Sequence, residues 1–213
     1  MRDAQTSESV AARLREQFAP SYLTLTSIIQ GVALSTLVIR IEGNADHFGP
    51  ANWLLAAATL LAFLLVWHEY VMQVLAYVWM PTLLDSAVPF GFLVAELFLA
   101  HLVYGNQRAW LFAAAAGFTF GAVAYALRRS QTYRYSRENA GVVAAITGYS
   151  GLRLAFTVGP VALFLGAWAL YDVLGLGRAS VLVAAGAVLI VVAAIAGTVP
   201  YWQRVLAYAR GEQ

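Results

Sequence analysis

Apolar runs of roughly 19 to 26 residues recur six times along this chain. About twenty apolar residues wound as an α-helix cross the hydrocarbon core of a bilayer. With no water there to satisfy backbone N–H and C=O groups, a lone apolar run can cross only as a helix. The pattern therefore specifies an all-α fold, a polytopic integral membrane helix bundle. Six spans are expected at residues 21–41, 52–77, 81–104, 109–127, 151–174 and 179–199, all within a transmembrane domain of residues 21–210. A polar segment, residues 1–20, precedes them. Composition agrees: 11% of residues are charged, against about 25% in soluble domains.

Arginine sets the direction. The chain contains no lysine, so all thirteen basic side chains are Arg. With the N-terminus inside, nine of them fall in inner segments: Arg2, Arg13 and Arg15, then Arg128, Arg129, Arg134 and Arg137, then Arg204 and Arg210. Arg40, Arg108 and Arg178 fall outside, and Arg153 lies within span five. This bias predicts cytoplasmic N- and C-termini in a bacterial inner membrane. Val10, Leu14 and Phe18, with Arg13 and Arg15 between them, predict an amphipathic helix on the inner surface, ended by Pro20. The segment has no apolar signal core. The basic pI reflects topology rather than a nucleic-acid partner, and anionic lipids are the expected partners of Arg128, Arg129, Arg134 and Arg137.

Several chemistries are excluded or unsupported. Without cysteine there is no disulfide, thiolate metal site or thiol nucleophile. Without lysine there is no Schiff base or P-loop. No HExxH or GxSxG motif occurs. His68 and Glu69 are adjacent and so point about 100° apart on a helix, a poor ligand pair. No enzyme activity, metal or other cofactor is expected.

Other residues carry packing and turn signals. Ser27, Gly31 and Ser35 form a small-residue face on span one, suited to close helix approach, and Gly117 and Gly121 form a GxxxG pair on span four. Val78 to Pro81, with Trp79, reads as a turn, with Pro81 in the first turn of span three. Pro89 and Pro160 should kink their helices. Span six, almost wholly aliphatic and alanine, should be the most lipid-exposed or the simplest in packing.

The stretch from Val66 to His101 is apolar enough for two spans yet carries His68, Glu69, Asp85, Glu96 and His101. Ionisable groups at bilayer depth are costly and mark functional or paired sites. At a rise of about 1.5 Å per residue, Gln30, His68 and Glu69 lie roughly 12 to 14 Å from the inner boundary. Asp85 and Arg153 enter at a shallower level. An inner polar layer of Gln30, His68, Glu69, Asp85 and Arg153 follows, with Arg153 paired to Glu69 or Asp85. Glu96, about 22 Å deep on the same scale, has no basic residue at its level. It either carries a proton or faces water or a subunit interface. Asp85 and Glu96 are eleven residues apart, close to three turns, and share a helix face that could line one aqueous path.

The span count, the inward termini and the run LLAFLLVWHEY make the chain resemble the bacterial TMEM175-like potassium channels. Trp67 and His68 stand at that family's aromatic-then-histidine end of span two. At the place of its Phe-Ser-Asp-small signature in span one, this chain has Ile28, Ile29, Gln30 and Gly31. The resemblance implies a homo-oligomer, a tetramer in that family, with span one lining the pore at Leu34 and Leu37. An oligomeric cation channel, with Gln30, Leu34, Leu37, Asp85 and Glu96 along the ion pathway, is the leading expectation. A small proton-coupled transporter with His68, Glu69, Asp85 and Glu96 as its relay is the alternative. A non-transporting sensor or assembly module is a third reading.

Overall fold

The structure is a computed structural model that describes residues 2–78 and 82–212, and their side chains except those of residues 2–16 and Ser86. Trp79 and Pro81 of the expected turn, and the side chains of Val10 and Leu14, lie outside the described residues. Every regular element within them is helical: α1 (Arg2–Glu42), α2 (Pro50–Ala76), α3 (Leu83–Leu102), α4 (Gln107–Arg134), α5 (Ala140–Ile146), α6 (Ser150–Ala169) and α7 (Ser180–Ala209). Six stretches are long and apolar enough to cross a membrane: 17–42, 50–76, 83–102, 107–134, 140–169 and 176–209.

The helices close a ring. α1 packs on α2 and α3, α2 on α7, α7 on α6, α6 on α4, and α4 on α3. The short α5 lies against α7. Successive long helices run in opposite directions, so α1 starts and α7 ends at one end of the ring, here the termini end.

Several boundaries differ from the sequence expectation, each for a physical reason. The N-terminal segment and span one form a single helix that passes through Pro20. A proline removes one backbone hydrogen bond, and the turn beyond it is reinforced where Thr24 Oγ1 donates to the Pro20 carbonyl (2.9 Å). α4 continues to Arg134, where hydropathy alone ends it at Leu127. The run Arg-Arg-Ser-Gln-Thr-Tyr-Arg is polar but contains no Gly or Pro, so nothing in it breaks a helix. α3 and α6 run unbroken through Pro89 and Pro160.

Small residues set the helix spacing. α4 presents Gly117 and Gly121 to α3, where a Cβ would meet Ala95 and Phe92 at ordinary contact distance. Gly91 and Gly197 are tighter: a Cβ there would fall on the rings of Phe120 and Phe156. α7 buries Ala184, Ala187, Val191 and Ala194 along one face, the i, i+3, i+4 pattern of a packing stripe. It is thus a packing helix with a regular buried stripe. The face formed by Ser27, Gly31 and Ser35 is exposed, with nothing within 4 Å of a Cβ at Gly31. Among the described residues, no helix packs on it.

Candidate functional site

The ring encloses a cavity of about 130 Å³. Its walls come from α2, α3, α4, α6 and α7, and most are apolar, including Leu65, Val88, Phe92, Leu99 and Phe118. Five ionisable side chains reach it: Glu69, Asp85, Glu96, Arg128 and Arg153.

Glu96 is 2% exposed. Its Oε1 accepts a hydrogen bond of 2.7 Å from Gln30 Nε2, and its Oε2 has no hydrogen-bond partner among the described residues. The sequence expectation placed Gln30 too shallow and Glu96 alone. The pair forms where α1 packs on α3, and that packing brings the two side chains to one height in the ring.

Glu69 belongs to a second centre. It pairs with Arg153, accepts from Trp202 Nε1 (2.9 Å) and accepts from Gln73 Nε2 (3.1 Å). Arg153 is 4% exposed. Its guanidinium carbon lies 4.2 Å from the Tyr201 ring centroid, 4.9 Å from Trp202 and 5.2 Å from Tyr125. Aromatic faces stabilise a cation this way, more strongly when water is excluded. One carboxylate and three rings therefore hold the charge, and Tyr77 and Tyr201 meet hydroxyl to hydroxyl beside them.

Asp85 has a different employment. Its Oδ2 accepts from Thr82 N (2.8 Å) and Thr82 Oγ1 (2.7 Å), while Asp85 N donates to Thr82 Oγ1 (3.4 Å). This is a capping box at the start of α3. Gln131 Nε2 donates to both carboxylate oxygens, at 3.2 and 3.0 Å. Arg128 lies within electrostatic reach of Asp85 and of the Tyr22 and Tyr70 phenols. Arg153 thus takes Glu69 of its two expected partners, and Asp85 is held by α4.

The remaining expected site residues are scattered. Leu37 is in the core, 2% exposed, and Leu34 is 44% exposed on the outside of the ring. His68 is exposed and outside the polar layer, because its neighbour Glu69 takes the inward direction. Among the described residues, no three of His, Asp and Glu are grouped as metal ligands. Arg128 is 8% exposed and faces the interior, whereas Arg129, Arg134 and Arg137 are exposed.

Other interior polar residues escape sequence reasoning. Asn139 clamps the end of α2, accepting from Val78 N (2.9 Å) and donating to Val78 O (2.8 Å) and Tyr135 O (3.1 Å). Trp110 Nε1 donates to the buried Thr59 Oγ1 (3.0 Å). Neither carries a local motif. The Thr82-x-x-Asp85 spacing does, and it marks Asp85 as a capping residue.

The chain matches no family model, no curated protein and no solved structure.

Proposed function

We propose that the protein is a small proton-coupled carrier of the bacterial inner membrane, with both termini cytoplasmic, whose substrate site is the cavity inside one protomer. The observation that carries this reading is Glu96. It is buried, its one hydrogen bond among the described residues is to a neutral amide, and it faces a cavity whose other carboxylates are engaged, Glu69 with Arg153 and Asp85 in the cap of α3. A lone intramembrane carboxylate beside a paired one is the arrangement expected of a site that takes up and releases a proton. The nine-to-three arginine bias supports the orientation. Arg129, Arg134 and Arg137 are exposed, as contact with anionic lipid at the inner surface would require. No bond-making chemistry is assigned.

The oligomeric cation pore is a second reading, favoured by one observation. The small-residue face of Ser27, Gly31 and Ser35 is unoccupied within the protomer, with space at Gly31 for another helix.

Electrical recording from reconstituted proteoliposomes under an inward proton gradient tests both. A carrier gives a small, saturable current on addition of its solute, and Glu96→Gln abolishes it. A pore gives an unsaturating cation current that Glu96→Gln only rescales. Absence of any proton-linked current across a broad solute panel would overturn the carrier reading.

A further inference from the structure

A second cavity, about 140 Å³, lies at the termini-end side of the first. The two share four wall residues: Gln73, Tyr125, Arg128 and Arg153. The lower cavity adds Arg129, Tyr133 and Ser150, and among the described residues no carboxylate side chain lines it. Three guanidinium groups and several hydroxyls thus border a space of several water volumes. The central chamber above it is walled mostly by aliphatic and aromatic carbon, with Glu69 paired to Arg153, Asp85 engaged in the α3 cap and Glu96 bonded to Gln30.

Arg153 supplies the independent sign of a ligand. Its Nη2 is spent on Glu69, but Nε and Nη1 are buried and have no hydrogen-bond partner among the described residues. A buried guanidinium with open donors is costly unless something accepts from them. Guanidinium N–H groups donate well to the oxygens of phosphate and carboxylate. Arg129 stands exposed at the rim, where it can meet an entering anion.

We propose that the two cavities together bind one organic anion, its phosphate or carboxylate group held among Arg128, Arg129 and Arg153 and its apolar body in the central chamber. As a statement about the transported substrate this rests on the carrier reading. As a binding site it is tested separately. The polar head occupies the hydroxyl-rich lower cavity. The apolar part passes between Arg128 and Arg153 toward Val88 and Phe92, below Glu96. A head group of a membrane lipid and a soluble alkyl phosphate present the same chemistry to this site.

The test uses the full chain in nanodiscs of phosphatidylcholine, with Trp202 fluorescence as the reporter, since its indole touches both Glu69 and Arg153. Butyl phosphate is titrated against inorganic phosphate, butanol and choline. Saturable binding of butyl phosphate is expected, about tenfold tighter than inorganic phosphate because the alkyl group adds burial. Butanol and choline should give no saturable response. Arg129→Gln, at an exposed site that leaves folding intact, should weaken binding several-fold. Arg153→Lys keeps the charge but removes the Nε and Nη1 donors and should weaken it by about tenfold. Unchanged binding in both variants, or no saturable response to either phosphate in folded protein, overturns the site. Equal affinity for the two phosphates overturns the apolar half of the proposal. Repeating the titration in nanodiscs that contain phosphatidylglycerol separates the sources: competition identifies a lipid head group, and unchanged affinity identifies a soluble anion. Binding without flux overturns the carrier reading alone, whereas proton-linked flux of another solute without anion binding overturns the site alone.

Discussion

Gln30 and Glu96 stand 66 positions apart in sequence and meet through a 2.7 Å hydrogen bond across the α1–α3 contact. The bond joins a carboxylate and an amide at the same height in the ring, and it is the only hydrogen bond that Glu96 makes among the described side chains. Replacing Gln30 by Leu leaves both carboxylate oxygens without a donor. The expected cost is about 1–3 kcal/mol, equivalent to a fall of several degrees in thermal midpoint for a chain of this size. Glu96→Gln keeps the shape and can still accept from Gln30, so it should change stability by less than about 1 kcal/mol. Thermal unfolding of the purified protein, followed by intrinsic fluorescence, checks both. A wild-type midpoint for Gln30→Leu would show that the bond does not form.

The Glu69–Arg153 pair should behave differently, because both members are charged. Removing Arg153 alone, as Arg153→Leu, strands a carboxylate and also empties the space among Tyr125, Tyr201 and Trp202. The expected cost is about 3–5 kcal/mol. Glu69→Leu together with Arg153→Leu should cost less than Arg153→Leu by itself, because a buried pair replaced as a unit leaves no uncompensated charge. A double-mutant cycle on thermal midpoints reads this coupling. Additive losses would mean that the aromatic rings, not Glu69, hold the guanidinium.

How far the sequence disclosed this site can be read residue by residue. The six helices were legible because an apolar run of that length has one stable form in a bilayer. A carboxylate partner for Arg153 was legible from depth, which left Glu69 and Asp85 both open. The Gln30–Glu96 bond was not. It depends on how α1 packs against α3, a register between residues 66 positions apart that no local pattern carries. Arg128 was assigned to a loop because hydropathy falls before helix propensity does, and two further turns of α4 carry it inside. The cap at Asp85 was written in the Thr82-x-x-Asp85 spacing. The aromatic surround of Arg153 draws on α4 and α7, which no local pattern relates.

Glycine substitutions separate tight helix contacts from open ones. Gly91→Ala and Gly197→Ala would each drive a methyl group into an aromatic ring, of Phe120 and Phe156 respectively. Overpacking of this kind costs about 1–3 kcal/mol. Gly117→Ala meets only ordinary contact with Ala95, and Gly31→Ala meets nothing. Both should leave the midpoint within about 1 kcal/mol of wild type, since alanine also favours the helix. If a second copy packs on the face of Ser27 and Ser35, Gly31→Ile should shift the oligomeric state in size-exclusion light scattering while the protomer stays folded. A large loss for Gly31→Ala with little for Gly91→Ala would invert the packing described above.

Orientation in the membrane can be read directly, because the chain contains no cysteine to remove first. Asp46 lies in the short helical turn after α1, and Glu212 lies beyond α7, both exposed and at opposite ends of the ring. Each can be changed to Cys singly. Both substitutions remove an acidic residue, which contributes little to topology, and leave every arginine in place. A membrane-impermeant maleimide applied to intact spheroplasts should label Asp46→Cys and spare Glu212→Cys until the membrane is opened. The opposite pattern would place the termini outside and would turn the Arg129 rim of the lower cavity toward the exterior. Equal labelling of both before permeabilisation would contradict six crossings, since five spans, an odd number, lie between these two positions.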